Sequence, residues 1–251
     1  MEILSLFLAC LAAFLAGTLN SLAGGGSFIT LPALLYVGIS PVLANTTSAA
    51  ALLPGYLGSV FGFKETYRTI NLASLIPLLI ITLIFSVGGA YLLINSSDEF
   101  FLEFIPILVF LATLLFIFNR TLEEEKKINN SRNLTKKIGL SLVSTYGGYF
   151  NGGLGIALLS VLSLDKQFTL KQISAIKSSL SFLITFISVS IFFFNGFIVW
   201  SYVLYMMFFS VLGGFFGAKI TEALPTIYVR NFIIIVGLSL SFSLMYLSYF
   251  S

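Results

Sequence analysis

Long, uninterrupted apolar runs are the feature that most limits what this chain can fold into. Hydrophobic residues make up 58% of the 251 positions and charged residues only 9%, whereas an ordinary soluble domain carries about 25% charged residues. Such a chain cannot cover a water-facing surface, which excludes a soluble enzyme, a nucleic-acid-binding protein and a disordered segment. The apolar runs are continuous and do not alternate with polar residues, so they predict membrane helices and not an outer-membrane barrel.

The apolar stretches differ in length. A helix needs about 20 residues to cross the hydrocarbon core of a bilayer, and the stretches 27–38, 138–150 and 155–164 are too short for this. Each of them lies beside a glycine-rich break, at 24–26 or at 152–155. Short apolar segments that meet at glycines are typical of broken or re-entrant helices. The sequence therefore predicts an all-α polytopic membrane protein of about 8–10 helical segments.

A charged segment divides the chain into two apolar halves. Residues 119–137 are rich in Lys, Arg and Glu and are predicted to be a solvated linker on the cytoplasmic side. They separate a first membrane repeat, 1–118, from a second, 138–251. Basic residues outside the linker decide the orientation of the second half. An inverted repeat keeps almost all of these basic residues on the cytoplasmic side, whereas a parallel repeat places several of them outside. We therefore expect inverted repeats, with both chain termini on the non-cytoplasmic side.

The two halves also share residues at a fixed spacing. A shift of 131 positions places Gly17 on Gly148, Asn20 on Asn151 and Ser48 on Ser179, and a shift of 128 places Gly89-Ala90 on Gly217-Ala218. Internal duplication of this kind is common among transporters. The Gly-Ala and Gly-Gly pairs are expected to serve helix packing, since small residues let helices approach closely.

The first group of candidate functional residues surrounds the first glycine break: Asn20, Gly24, Gly25, Gly26 and Ser27. Glycines let the backbone approach a ligand, and the helix that follows offers free N–H groups and the positive end of its dipole to an anion. A tight helix crossing that needs small residues is the alternative explanation.

The second group opens a long apolar helix: Asn45, Thr46, Thr47 and Ser48. Four consecutive polar side chains within a membrane span are costly unless they line a cavity or meet a partner. Helix capping and hydrogen bonds to nearby carbonyl groups are the alternative, but they explain only part of the group.

The third group is the counterpart in the second half: Asn151, Gly152, Gly153, Gly155, Lys177, Ser178 and Ser179. A lysine in a span costs roughly 2.5–3.5 kcal/mol on insertion scales. Lys177 either extends to the cytosolic headgroups or attracts an anion at the inner side of a pathway. The polar patches at 45–48 and 177–179 are expected to converge on one cavity.

The residues that are missing exclude further chemistry. Cys10 is the only cysteine and there is no histidine, so an intrachain disulfide, Ser–His or Cys–His catalysis and histidine-ligated metals are absent. No Asp or Glu falls in the middle of a predicted span, which argues against an intramembrane enzyme and against a carboxylate proton relay. Neither a cofactor nor a metal is predicted.

Several of these motifs together resemble the sulfite exporter TauE/SafE family of membrane transporters. The resemblance lies in the segments 23–27, 31–34, 38–41 and 44–48 of the first half and in 147–156 and 175–177 of the second. Asn151 stands where a small residue is expected, and Ser178 where many members carry Asn. The family implies transport of sulfite, sulfonates or other small organosulfur anions across the cytoplasmic membrane.

Three kinds of function remain open from the sequence. A secondary transporter of a small anion is the first, a passive anion channel the second, and a non-transporting membrane scaffold or a membrane enzyme the third. The expected partners are the anionic substrate and the lipid bilayer, and no nucleic acid. The oligomeric state, a homodimer included, is left open, as are the direction of transport, the coupling ion, and whether the broken helices cross the membrane fully.

Overall fold

The computed structural model describes residues 3–22, 25–118, 133–164 and 167–221, together with scattered positions between 231 and 246. All regular elements in these residues are helices: α1 (Ile3–Leu22), α2 (Ser27–Tyr36), α3 (Pro41–Gly62), α4 (Lys64–Tyr67), α5 (Leu72–Ile94), α6 (Asp98–Phe118), α7 (Asn133–Tyr149), α8 (Leu154–Leu162), α9 (Leu170–Phe194) and α10 (Trp200–Thr221). Within the described residues, three segments are long and apolar enough to span a membrane: Ile3–Asn20, Ala73–Ile94 and Gln172–Phe194. The prediction of an all-α polytopic membrane protein is confirmed.

The predicted linker overlaps the start of a helix. Positions 119–132 lie outside the described residues, and α7 begins at Asn133, so the last five positions of the predicted linker, 133–137, belong to that helix. Most of the apolar run 231–250 also lies outside the described residues. Within it, the Ser241 hydroxyl donates a hydrogen bond to the Pro106 carbonyl oxygen of α6, at 2.9 Å.

Local sequence explains where the long helices begin. Thr169 and Gln172 form a capping box at α9, in which each side chain accepts a hydrogen bond from the backbone N–H of the other. The Asn71 side chain accepts the Ala73 N–H at the start of α5. Pro41 is the first residue of α3, a position whose N–H has no partner within the helix, so proline is tolerated there.

Three loops meet at one end of the bundle, which we call the vestibule end. They precede α3, α6 and α10, and they line an open cavity of about 410 Å³ together with the adjoining helix ends. Each loop contributes a residue to the cavity wall, namely Ser40, Ser97 and Gly196. The Asp98 carboxylate ties two of them together, since it accepts a hydrogen bond from the Val42 N–H at 2.8 Å. None of the three loops contains Lys or Arg.

The opposite end of the bundle carries basic residues, and we call it the basic end. Here Gln172 at the start of α9 donates hydrogen bonds to the Thr69 carbonyl and hydroxyl oxygens, at 3.1 and 3.2 Å. Arg68 lies in the same loop and pairs with Glu65 on the surface, at 2.7 Å. The Lys136 ammonium at the start of α7 lies 5.6 Å from the centre of the Phe168 ring. The charge difference between the two ends is the one expected across a cytoplasmic membrane.

Two pairs of parallel helices run in opposite directions between these ends. In the pair α1–α10, the Ser5 and Tyr202 hydroxyls lie 3.3 Å apart near the vestibule end, where α10 begins. In the pair α5–α7, the Ser96 and Tyr149 hydroxyls lie 3.3 Å apart near the same end, where α5 and α7 finish. The first pair therefore runs away from the vestibule end and the second runs toward it. Inverted repeats require this arrangement; the repeat itself stays a prediction.

The same backbone contacts recur in both pairs. A Cβ atom on Gly17 would overlap the Ser210 carbonyl oxygen, and one on Gly148 would overlap that of Ser86. In the reciprocal contacts, Gly213 faces the Phe14 carbonyl and Gly89 faces the Thr145 carbonyl. The shift of 131 is therefore matched in α1 and α7. In α5 and α10, however, the contacts relate Gly89 to Gly213, a shift of 124, which is four positions (one helical turn) less than the shift of 128 inferred from the sequence.

Candidate functional site

Two short helices begin inside the bundle. α2 has 10 residues and α8 has 9, so they rise about 15 and 14 Å, roughly half the thickness of the hydrocarbon core. Their N-terminal ends meet: the Phe28 ring of α2 lies against Gly152 and Gly153, the two residues that precede α8, so closely that a Cβ on Gly152 would stand 2.9 Å from it. Both helix dipoles therefore direct their positive ends toward the interior.

The first glycine break is held by a side chain of the preceding helix. The Gly26 N–H donates a hydrogen bond to Asn20 Oδ1 at 2.8 Å. A Cβ on Gly26 would come within 2.7 Å of the Ala16 carbonyl oxygen and 2.8 Å of Asn20 Nδ2, so only glycine fits. Gly25 is buried, and Gly24 lies outside the described residues. The next residue, Ser27, is 2% exposed, and its hydroxyl has no hydrogen-bond partner within the described part of the chain.

The second break uses a left-handed turn. Gly153, the residue before α8, has φ +72°, a conformation that favours glycine. The Tyr146 hydroxyl of α7 donates a hydrogen bond to the Gly152 carbonyl oxygen and so fixes the turn. Asn151 and Gly155 are buried beside it. Neither break contains a charged residue.

A chain of polar side chains connects the two breaks through Tyr56 of α3. The Asn20 side chain, which holds Gly26, also lies beside the Tyr56 hydroxyl. That hydroxyl donates to Asn151 Oδ1 at 3.4 Å. Asn151 Nδ2 in turn donates to the Thr185 hydroxyl of α9 at 3.0 Å. Asn20 and Asn151 are the residues that the 131-position shift pairs, so one member of each half contacts the same tyrosine.

The polar patch of α3 lies toward the vestibule end. Thr46 donates a hydrogen bond to the Phe197 carbonyl oxygen, and the Thr47 hydroxyl accepts the Val199 N–H at 3.2 Å, so both bind the loop before α10. Asn45 Nδ2 donates to the Tyr149 carbonyl oxygen at 2.9 Å, while Asn45 Oδ1 is buried with no partner among the residues described. These contacts fix the loop before α10 and the end of α7 against α3.

Ser48 belongs to the same patch but faces the first broken helix. Its hydroxyl lies 2.5 Å from the Thr30 hydroxyl of α2, and both side chains are fully buried. Thr30 also donates toward the Gly26 carbonyl oxygen, at 3.4 Å. Ser48 therefore connects α3 to the helix that starts at the first glycine break.

The polar patch of α9 lies toward the basic end. The Ser179 hydroxyl is 2.5 Å from the Tyr67 hydroxyl, which also donates to the Ala175 carbonyl oxygen at 2.7 Å. Burial raises the pKa of the Tyr67 hydroxyl, so it remains protonated and able to donate at neutral pH. Ser178 is buried, and its hydroxyl returns to the Ser174 carbonyl oxygen at 3.0 Å.

Lys177 lies well inside α9. The helix begins at Leu170, which places Lys177 seven residues, about 10 Å, from its start. The side chain is partly buried, and no described residue is recorded as its hydrogen-bond or ion-pair partner. The recorded contacts of the two patches lie at opposite ends of the bundle, so the patches do not converge directly. The Asn20–Tyr56–Asn151 chain lies between them.

Sequence analysis missed Tyr56 and Thr185, which complete this chain. Tyr56 is one of 11 tyrosines, and nothing near it in the sequence is polar enough to draw attention. Thr185 carried a usable signal, since it stands eight positions after Lys177 and four after Ser181, on the same face of a helix. Their importance follows from contacts between residues that are distant in the chain.

A helical bundle with membrane-length helices, and with two half-length helices that meet inside it, defines a polytopic membrane protein of the transporter type. The sulfite exporter TauE/SafE family model matches residues 9–244, and the chain belongs to that family. Related proteins from Haemophilus influenzae and Escherichia coli K12 are each described as a probable membrane transporter protein.

The Haemophilus protein is 28% identical over 93% of this chain and 91% of its own length. The Escherichia coli protein, YfcA, is 26% identical over 93% of this chain and 87% of its own length. A third relative, from Sinorhizobium, carries the same description and is 25% identical. No solved structure matches the chain with significance. The chain is therefore a multi-pass membrane protein of a transporter family, and that family is not a class of enzymes.

Proposed function

We propose that the protein is a secondary transporter of a small anion, namely sulfite, a sulfonate or a related organosulfur compound, across the cytoplasmic membrane. The substrate binds where the two glycine breaks meet, between the N-terminal ends of α2 and α8. The residues singled out in the sequence around the breaks, together with Tyr56 and Thr185, form this site. The family description names a sulfite exporter, which supports a small sulfur oxyanion, and the neutral hydrogen-bond donors of the site support an anion.

The observation that carries the proposal is the Ser27 hydroxyl. It belongs to the first residue of α2, is 2% exposed and has no partner among the residues that the structure describes. An unpartnered hydroxyl in an interior costs free energy, and at a helix N-terminus it lies at the positive end of the helix dipole, which attracts negative charge. A bound oxyanion would accept a hydrogen bond from this hydroxyl, which offsets the cost.

The neutral character of the site favours a singly charged anion. Within the described residues, the polar neighbours of Asn20, Tyr56, Asn151 and Thr185 are uncharged groups. The cost of moving an ion into a medium of low dielectric constant rises with the square of its charge, so a dianion costs about four times as much as a monoanion of the same size. A sulfonate or hydrogensulfite therefore fits the site better than sulfate.

Lys177 serves as the attracting charge on the basic side of the site. It stands inside a span, where a charge acts on an anion more strongly than in water, and no described residue neutralises it. In this position it raises the local concentration of the anion without being part of the neutral binding group.

A thermal-shift screen of the purified protein tests the substrate class. Methanesulfonate, sulfite and sulfate at equal ionic strength are the probes. We expect methanesulfonate and sulfite near acidic pH to raise the melting temperature, because a ligand that binds only the native state stabilises it. Sulfate, a dianion of similar shape, should raise it less. An equal effect of all three would point to general salt action and contradict the proposed site.

Proteoliposomes separate a carrier from the other two functions. If the protein is a carrier, vesicles loaded with unlabelled methanesulfonate take up the labelled compound faster than empty vesicles. The uptake rate then saturates with the external concentration. A passive channel gives flux that does not respond to the internal substrate, and a scaffold gives no flux above that of protein-free vesicles. Trans-stimulated, saturable uptake is the expected result.

A further inference from the structure

A stripe of polar residues runs along one face of α9. Lys177, Ser181, Thr185 and Ser188 follow one another at intervals of four, four and three positions, the spacing that puts side chains on the same face of a helix. Ser181 and Thr185 are fully buried and Ser188 is 2% exposed. The stripe extends over about 16 Å, from the region of Lys177 toward the vestibule end.

Among the described residues, two hydroxyls of the stripe, Ser181 Oγ and Ser188 Oγ, have no hydrogen-bond partner. Thr185 between them is bonded to Asn151. A serine inside a helix ordinarily donates its O–H to the carbonyl oxygen one turn earlier. Two other serines of α9 do this: Ser178 donates to the Ser174 carbonyl at 3.0 Å and Ser190 to the Phe186 carbonyl at 2.7 Å.

Local hydrogen bonds to the helix backbone do not account for the hydroxyls of the stripe. Ser190 lies toward the lipid and satisfies its hydroxyl locally, so the α9 backbone can accept such bonds. Ser181 and Ser188 face the interior and do not form them, although an unpartnered buried hydroxyl lowers stability. Groups held at such a cost in the interior point to a ligand that is present for only part of the time.

We propose that Ser181, Thr185 and Ser188 form one wall of the pathway along which the anion crosses the protein, and that their hydroxyls donate hydrogen bonds to it. The pathway leads from the Lys177 side past Thr185, where it meets the Asn20–Tyr56–Asn151 chain at the two glycine breaks. The inference rests on the proposed function, because a path needs a transported anion. It adds two residues of the second half, Ser181 and Ser188, that no motif indicated.

Cysteine accessibility tests the pathway without measuring transport. The chain has a single cysteine, Cys10, which is 6% exposed, so Cys10→Ala gives a background without thiols. Ser181→Cys and Ser188→Cys are introduced separately, and Ser190→Cys serves as the matched control on the lipid side of the same helix. The probe is methanethiosulfonate ethylsulfonate, a membrane-impermeant sulfonate that modifies thiols in contact with water.

We expect the probe to modify Ser181→Cys and Ser188→Cys, and methanesulfonate to slow the modification by about fivefold at a concentration that shifts the melting temperature. Ser190→Cys should not react. If both stripe variants stay unmodified while the denatured variants react fully, the stripe is a dry helix interface and the inference is overturned. This outcome leaves the thermal-shift and flux results of the parent protein unaffected, so the two proposals fail separately.

Alanine variants add a functional readout. Removal of an unpartnered hydroxyl relieves a buried polar group, so Ser181→Ala and Ser188→Ala should melt at the same temperature as the parent or higher. If the hydroxyls contact the anion, each variant should raise the KM for methanesulfonate uptake by about fivefold. Ser190→Ala should change neither quantity. Higher stability with an unchanged KM in both stripe variants would contradict the pathway.

Discussion

The Tyr56 hydroxyl lies 3.4 Å from Asn151 Oδ1 and joins a long helix of the first half to the glycine break of the second. The distance is long for an O–H donor, whose usual separation is about 2.7–2.8 Å, so this hydrogen bond is weak. In the proposed function, an anion that enters between the breaks accepts the Tyr56 hydrogen bond in place of Asn151. We therefore expect Tyr56 to couple substrate binding to the contact between the two halves.

Tyr56→Phe should weaken binding of methanesulfonate about tenfold, since one hydrogen bond to a charged ligand is lost. The ring remains and keeps its packing against Ala16 and Leu52, so the protein should fold, with a loss of about 1–2 kcal/mol of stability from the unpartnered Asn151 oxygen. Titration by isothermal calorimetry measures the affinity. Tyr91→Phe, on the exposed face of α5, is the control. Equal affinities in both variants would remove Tyr56 from the site.

Lys177→Gln should lower the affinity for the anion severalfold without reducing expression, because an isolated charge acts strongly in a medium of low dielectric constant. Lys177→Arg should retain much of the affinity, since the charge remains although its geometry differs. Uptake by proteoliposomes at several substrate concentrations gives the KM. Lys137→Gln, an exposed lysine of α7, controls for net charge. If the Gln and Arg variants both bind like the parent, Lys177 only extends to the headgroups.

Gly89→Ala should destabilise the protein by about 1–3 kcal/mol, because the added methyl group overlaps the Thr145 carbonyl oxygen and α5 must move away from α7. Its neighbour Gly88 meets nothing within 4 Å. Gly88→Ala should be neutral or stabilise by about 0.5–1 kcal/mol through its helix propensity. Melting temperatures in detergent compare the two. Similar melting temperatures for both variants would mean that α5 and α7 do not cross closely at Gly89.

The vestibule end should face away from the cytosol and the basic end toward it. The reason is the distribution of charge, since the three loops at the vestibule end lack Lys and Arg. In the Cys10→Ala background, a membrane-impermeant thiol reagent should label Ser97→Cys in intact cells and Lys64→Cys only after lysis. Reporter fusions should place both chain termini on the non-cytosolic side. The reverse labelling pattern would contradict the proposed orientation.

The sequence alone determined the class of structure and the positions of the two breaks. Composition forces the chain into a membrane, because 9% charged residues cannot cover a surface in water. Glycines beside apolar runs too short to span predict half-length helices, and α2 and α8 are such helices. These properties are local, so they can be read from neighbouring residues.

Tertiary structure decided which polar residues meet. Only packing brings Asn20 and Asn151, which are 131 positions apart, to the same tyrosine, and only packing separates the α3 patch from the α9 patch. The correspondence between α5 and α10, in which Gly89 matches Gly213, also differs from the sequence alignment by one helical turn. A helix presents similar small residues at successive turns. The choice between them depends on which carbonyl oxygen lies opposite, and that contact exists only after the helices have packed.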